Sequence, residues 1–147
     1  MIIKFDITMK ITIWIARQLE DEDYETLKKW WKFWRFPVPA KNFLPEDGKC
    51  GIMIEDSEGT QYAAGFLYLT NSDAAWMEYI VSNPEIKDRK LRKQALEGLI
   101  NQLSYMAKDN DAQWIFTSVK HKGLIERYLE CGFMEGSTGT TEMIKIL

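Results

Sequence analysis

Apolar residues gather in short runs through the middle of the chain and then spread into a helical stripe. The short runs cover residues 51–55, 62–69 and 74–81, and each has the length and the β-branched or aromatic content of a strand. The first two runs are joined by residues 56–59, whose composition predicts a hairpin turn. Residues 91–108 carry apolar side chains at helical spacing and predict the longest helix.

The flanking segments supply the other elements. Residues 10–17 are β-branched and predict a first strand, with residues 2–7 as a lead-in or an extension of it. Acidic residues 21–23 favour the start of a helix, which ends before Pro37. One side of that helix carries Leu27, Trp30, Trp31 and Trp34. Beyond the longest helix the pattern predicts a strand at 114–119, a helix from His121 to Cys131, and a last strand at 141–147.

This order of elements predicts the fold class. A three-stranded meander, a long helix and then a strand, a helix and a strand give an α/β (α+β) fold. We expect a mixed, mostly antiparallel twisted sheet with helices on both faces. The chain has 147 residues, 46% of them hydrophobic and 13% aromatic. That suffices for one sizeable core and not comfortably for two, so we expect a single domain over residues 1–147.

Composition argues against several functional classes. The net charge of −3 gives no general attraction to nucleic acid or to an anionic membrane. Lys4, Asp6 and Lys10 interrupt the apolar N-terminus, so neither a signal peptide nor a membrane span is expected, and we expect a cytoplasmic protein. Cys50 and Cys131 are isolated, and the chain has a single histidine, so no metal site is expected.

The most specific motif follows the strand predicted at 114–119. Tyr128 lies on the short helix, and Gly132 suits the left-handed conformation that follows a helix end and directly precedes Phe133. This motif, together with the order of elements over residues 11–147, resembles the GCN5-related N-acetyltransferase (GNAT) family. The resemblance implies that acetyl-coenzyme A is the co-substrate and lies where the fourth and fifth strands separate. It also implies that an acceptor amine attacks the thioester directly.

The resemblance implies a phosphate-binding loop between the third meander strand and the longest helix. The family usually has glycines there, but residues 82–94 contain none. Residues 87–93 instead hold five cations and one carboxylate, a net charge of +4 in a chain of net charge −3. The N–H groups of a helix N-terminus also attract anions. The cofactor-binding candidates on the helix are Arg89, Lys90, Leu91, Arg92, Lys93 and Gln94. The resemblance adds Ile80 and Val81, near an implied strand bulge with a backbone N–H donor.

Three side chains are candidates for proton transfer. The resemblance implies that Tyr128 faces the coenzyme A thiol, and a phenol of pKa about 10 can protonate a departing thiolate. Glu78 can accept a proton from the incoming ammonium, and strict alternation puts it on one strand face with Trp76 and Ile80. His121 is the second candidate base, and stands where the family often has an asparagine that touches the pantetheine arm. Each also has an ordinary explanation: a packed tyrosine, a solvent-facing glutamate and an incidental histidine.

The resemblance places residues 30–39 on the acceptor side. Core packing is expected for Trp30 and Trp34, whereas Trp31, Phe33 and Phe36 cannot share one helix face, so some of them are expected to line the acceptor groove or a partner surface.

Together these features favour an N-acetyltransferase acting on an amine of a small molecule or a peptide, in a ternary complex with acetyl-coenzyme A. The glycine-free loop and the aromatic segment also fit an alternative, a catalytically inactive GNAT-like module that binds or inhibits a protein or a nucleic acid. Negative charge outside residues 87–93 makes nucleic acid the weaker partner. Both a monomer and a homodimer stay open, and no membrane partner is expected.

Overall fold

The computed structural model describes residues 11–147, so Lys10 and residues 2–7 of the expected first strand lie outside the described residues. Within this range the chain forms five strands and three α-helices, with 3₁₀ turns at Lys41–Phe43 and Pro45–Gly48. The strands are β1 (Trp14–Gln18), β2 (Gly51–Asp56), β3 (Gln61–Tyr68), β4 (Ala74–Ser82) and β5 (Trp114–Phe116). The helices are α1 (Asp23–Phe33), α2 (Arg89–Asp109) and α3 (Lys122–Glu130).

The five strands form one sheet in the order β1-β2-β3-β4-β5. The first four pair antiparallel, and β5 pairs with β4 in parallel. The turn between β2 and β3 closes where the Gly59 N–H donates to the Asp56 carbonyl at 3.0 Å. Gly59 has a φ of +84°, which a glycine adopts without strain. The predicted mixed, mostly antiparallel sheet is therefore confirmed.

Helices cover both faces of the sheet, as predicted. On one face, α1 buries Leu27 and Trp31 against Phe66 of β3. On the other face, α2 buries Leu99 and Leu103, together with Ala95, Ile100 and Ala107, against the sheet, and α3 adds Tyr128 to the same core. The stripe that predicted α2 is thus its buried side. Strand β4 contributes buried side chains to both cores.

Strand β4 contains a bulge. Val81 lies opposite Ala64 and Glu78 lies opposite Phe66, so β4 uses one residue more than β3 between these pairs. Tyr79, inside the irregularity, has a φ of +58°, which is uncommon for a bulky residue. The bulge that the family resemblance implied near Ile80 and Val81 is therefore present and begins at Tyr79.

The bulge corrects the predicted facing of the β4 side chains. Strict alternation put Ile80 on one face with Trp76 and Glu78, and this prediction is wrong. Ile80 is buried in the same core as Met77, on the α2 face. The extra residue reverses the alternation, because each residue inserted into a strand turns the following side chains to the opposite face.

The last predicted strand is absent. Residues 141–147 form no strand, and Met143 and Ile146 are 85% and 94% exposed. Strand β5 also ends at Phe116 and not at the predicted residue 119. Propensity for an extended conformation becomes a strand only where a ladder forms, and the three-residue β5 offers a short edge to pair with.

The helices and cysteines of the described chain carry two further findings. None of the helices in residues 11–147 combines the length and the apolar character that crossing a bilayer requires. Burial, with a smaller contribution from Glu46, raises the thiol pKa of Cys50 to about 11. Burial likewise raises the pKa of Cys131. Both are free thiols, and their raised pKa keeps them protonated at neutral pH.

Candidate active site

Strands β4 and β5 separate after a short ladder. They pair at three positions, the last being Trp76 opposite Phe116, after which β4 continues to Ser82 while β5 ends. The next contact is made by a side chain, because the Ser118 N–H donates to Glu78 Oε2 at 3.4 Å. The gap expected between these strands is therefore present, and we call its closed end, at Trp76, Glu78, Phe116 and Ser118, the vertex.

A groove of about 500 Å³ lies along the open side of this gap. Its walls come from the end of β4, the first turns of α2, the start of α3 and the segment after α1. The lining residues are Trp34, Phe36, Ile80, Val81, Ser82, Arg89, Arg92, Lys93, Leu96, His121, Gly123, Leu124, Glu126 and Arg127. Six predicted site residues thus meet in one groove: Ile80, Val81, Arg89, Arg92, Lys93 and His121.

The groove lining carries an excess of positive charge. Four of its lining residues are basic and one, Glu126, is acidic. Lys93 lies 3.7 Å from Glu130 and 3.9 Å from Glu97, and Arg127 lies 3.4 Å from Glu130, so these two charges are partly neutralised. Within residues 11–147, Arg89 and Arg92 form no ion pair. Their guanidinium groups are available to an anion such as a phosphate.

The other three predicted α2 residues face elsewhere. Lys90, Leu91 and Gln94 line a second cavity of about 410 Å³, which also contacts Trp14 of β1. Positions on a helix that differ by one or two residues point about 100° or 200° apart, so a run of consecutive residues cannot face one ligand. Only part of the predicted run from Arg89 to Gln94 can therefore line the groove.

The first turn of α2 does not present a full set of free N–H groups. The Asp88 carboxylate caps the helix and accepts from the Lys90 N–H at 3.0 Å and from the Leu91 N–H at 3.2 Å. Two of the N–H groups that were expected to attract a phosphate are therefore already bonded, because an N-cap carboxylate satisfies the same donors. Asp88 lines the second cavity and not the groove. The groove side chains Arg89 and Arg92, unlike these two N–H groups, have no acidic partner among the described residues.

Tyr128 lies beside the vertex. It is 4% exposed, and its hydroxyl accepts a hydrogen bond from the Thr117 hydroxyl at 3.3 Å. Its ring lies 4.9 Å from that of Phe133, and the Phe133 N–H donates to the Tyr128 carbonyl at 3.0 Å. Burial raises the pKa of Tyr128 well above its ordinary value, and the nearby charge of Glu78 adds to the effect. The phenol is therefore neutral, and its own proton is not used in the bond with Thr117.

Glu78 lies at the vertex. Its Oε2 accepts from the Trp76 indole N–H at 2.7 Å as well as from the Ser118 N–H. Burial raises the pKa of Glu78, although both of these hydrogen bonds oppose the shift. Tyr128 and Glu78 contact consecutive residues of the chain after β5, Thr117 and Ser118. They therefore flank the narrow end of the gap, and neither of them lines the wide groove.

His121 precedes the first residue of α3, and its side chain is exposed. It lines the groove, unlike Tyr128 and Glu78. As a residue of the groove wall, His121 is placed to touch a ligand that lies in the groove.

The segment after α1 corrects the prediction for the tryptophans. Trp31 is 1% exposed and belongs to the core, whereas Trp34 lines the groove and donates through its indole N–H to the Ser82 carbonyl at 2.8 Å. The reason is that α1 ends at Phe33 and the chain turns at Arg35, which has a φ of +59°. Sequence reasoning also missed Arg127, which lines the groove. It directly precedes Tyr128, and nothing in the local sequence distinguishes it as a site residue.

Comparison with known proteins supports the fold. No family model matches the sequence, and no curated protein matches it significantly. Solved structures do. N-acetylglutamate synthase from Neisseria gonorrhoeae, solved with coenzyme A and L-arginine, gives a TM-score of 0.68 at 16% identity. That match covers 90% of this chain and 30% of the synthase chain, so this protein spans about a third of that relative.

Two other solved structures match over nearly their whole length. A probable acetyltransferase gives a TM-score of 0.66 at 17% identity, covering 90% of this chain and 98% of that one. AAC(6′)-Iy in complex with a coenzyme A-linked bisubstrate analogue gives 0.61 at 14% identity, covering 90% and 99%. These likenesses show that the chain has the fold of the GNAT acetyltransferases, which the sequence resemblance predicted.

Proposed function

We propose that the protein is an N-acetyltransferase that transfers an acetyl group from acetyl-coenzyme A to an amine, by direct attack within a ternary complex. The observation that carries this proposal is the gap between β4 and β5, which opens into a cationic groove and closes at a vertex flanked by Glu78 and Tyr128.

Binding of the thioester is assigned to the groove. Arg89 and Arg92 would pair with the phosphates of coenzyme A, with Lys93 and Arg127 contributing charge that is shared with Glu97 and Glu130. Similar folds support this choice, since N-acetylglutamate synthase was solved with coenzyme A and AAC(6′)-Iy with a coenzyme A-linked analogue. The pantetheine arm would run along Ile80 and Val81 towards the vertex.

The reaction removes two protons from the acceptor nitrogen and delivers one to the sulfur. Glu78 takes a proton from the acceptor ammonium, directly or through water, and its raised pKa makes it a better base than an ordinary carboxylate. The amine nitrogen then bonds to the acetyl carbon and loses its second proton to solvent, and the carbon–sulfur bond breaks. Tyr128 gives its proton to the departing thiolate and regains one from solvent. The bulge that begins at Tyr79 would aim a backbone N–H near Ile80 at the carbonyl oxygen, as an oxyanion donor does.

Thiol release in the presence of acetyl-coenzyme A and a pool of primary amines tests the proposal. General acid catalysis contributes about 10²–10⁴-fold, so Tyr128→Phe is expected to lower the rate by about 10²-fold or more. Tyr105→Phe is the matched control, since Tyr105 lies on α2, is 59% exposed and is expected to keep the full rate. Equal rates for wild type and Tyr128→Phe would remove Tyr128 from the mechanism, and no amine-dependent release would contradict the enzyme itself.

One observation favours a second candidate, a GNAT-like module without catalytic activity that binds a partner. The Asp88 cap occupies two N–H groups at the start of α2, in a loop that lacks glycine. If the side chains of the groove do not hold coenzyme A without those donors, only the fold remains. Failure to bind acetyl-coenzyme A would favour this candidate.

A further inference from the structure

The vertex carries an aromatic pair on the surface. The rings of Trp76 and Phe116 stack with their centroids 5.8 Å apart and their planes inclined by 15°. Trp76 is 40% exposed and Phe116 is 54% exposed. These two residues are the last pair of the β4–β5 ladder, so the exposed stack stands directly beside the point where the strands separate. Two large exposed rings held rigidly on a sheet form a flat apolar surface for a ligand.

The carboxylate of Glu78 lies beside this stack with one oxygen unused. Both of its hydrogen bonds, from the Trp76 indole and from the Ser118 N–H, go to Oε2. Among the described residues, Oε1 accepts no hydrogen bond and Glu78 forms no ion pair. A half-buried carboxylate is normally paired with a cation. The unused oxygen is therefore suited to an ammonium group.

The other groups near Glu78 are aromatic or acidic. Tyr68 pairs with Trp76 across β3 and β4, and the ring of Tyr79 lies 6.1 Å from that of Phe43. Burial raises the pKa of both Tyr68 and Tyr79, and the charge of Glu78 adds to it in each case. Glu142 contributes a further negative charge close enough to act on Glu78 and Tyr79. The vertex thus combines negative charge with aromatic faces, the combination that attracts organic cations.

We propose that the acceptor is a cationic primary amine with an apolar or aromatic body and no carboxylate, its ammonium on Glu78 and its body on the stacked Trp76 and Phe116. This rests on the proposed function, and it sharpens that function by naming the acceptor class. The cationic groove holds the anionic co-substrate, and the anionic vertex holds the cationic acceptor. Opposite charges thus keep each substrate out of the other's site.

Direct binding to the full chain without coenzyme A tests the acceptor class separately from the reaction. The probes are 2-phenylethylamine and phenylalanine, which differ by one carboxylate, and binding is followed by calorimetry. We expect 2-phenylethylamine to bind at least about tenfold more tightly, because the carboxylate of phenylalanine would face Glu78. Phe116→Ala is expected to weaken 2-phenylethylamine binding several-fold, whereas Tyr105→Ala, which removes an equally exposed ring on α2, is expected to leave it unchanged.

Each outcome decides between the two proposals. Phenylalanine binding as tightly as 2-phenylethylamine, no binding of either at millimolar concentration, or equal effects of the two alanine variants would overturn the acceptor assignment. A separate titration with coenzyme A reports on the groove. Coenzyme A binding without amine selectivity would contradict the acceptor class alone, and amine selectivity without coenzyme A binding would contradict the acetyltransferase proposal.

Discussion

Replacing Arg92 by alanine is expected to weaken coenzyme A binding, whereas the same change at Lys90 is expected to have little effect. Both residues lie in the first turns of α2 and carry a positive charge. Arg92 lines the groove, and Lys90 lines the second cavity on the far side of the helix. Positions two residues apart on an α-helix point about 200° apart, so Lys90 is a control matched in charge and in location.

The size of the effect follows from the surroundings of Arg92. Its side chain is half-buried and, among residues 11–147, forms no ion pair, so it has no competing carboxylate. A hydrogen bond to a charged group contributes about 1.5–3 kcal/mol, which corresponds to about 10–150-fold in Kd. Lys90 acts only through solvent, which screens charges beyond a Debye length of about 8 Å at physiological salt, so we expect less than about a threefold change.

Isothermal titration calorimetry of coenzyme A into wild type, Arg92→Ala and Lys90→Ala measures both effects, with melting temperatures as the check on folding. At higher ionic strength, Arg92→Ala should lose less affinity than wild type, because it has one fewer phosphate contact to screen. Similar losses for the two variants, or no loss for Arg92→Ala, would refute the assignment of the groove as the phosphate site.

Two predictions concern the scaffold. Asp23 is buried, and although burial raises its pKa, hydrogen bonds from Arg17 at 2.7 and 2.9 Å and from the Glu20 N–H hold that pKa below its ordinary value. The resulting stability is present above the ordinary pKa and is lost as the pH falls. Asp23→Asn should therefore lower the free energy of unfolding by about 2–3 kcal/mol at pH 7 and by less in acid. A difference in urea denaturation that does not change with pH would contradict this. Gly51→Ala should destabilise by about 1–3 kcal/mol, because its Cβ would lie 2.3 Å from the Gly65 carbonyl oxygen. Gly98→Ala on α2 meets no atom within 4 Å and should stabilise by about 0.5–1 kcal/mol. The same urea midpoint for both variants would show that the close backbone contact at Gly51 does not restrict the residue there to glycine.

Sequence patterns predicted the elements whose partners are close in the chain and those whose periodic pattern extends over many residues. The stripe of α2 spans many turns, and the turn at Gly59 joins neighbouring strands, so local chemistry decides both. The final strand was wrong because residues 141–147 would need a distant partner, and no propensity scale reports whether an edge is available.

The site was harder to predict because single residues decide it. The bulge at Tyr79 reverses the facing of Ile80, and nothing in the composition of β4 distinguishes a bulge from a regular strand. The positive charges of residues 87–93 are adjacent in the sequence, but the helical turn divides them between two cavities, with Asp88 as the cap. A cluster in sequence predicts local charge and does not say which cavity receives it.

The central claim is that the gap between β4 and β5 and its cationic groove hold a coenzyme A thioester. Titration of wild-type protein with acetyl-coenzyme A, followed by calorimetry, tests it most directly. We predict one molecule bound per chain with a Kd of about 1–100 μM, equivalent to about 5.5–8 kcal/mol. Absence of binding at millimolar acetyl-coenzyme A, with the protein folded in the same buffer, would contradict the claim.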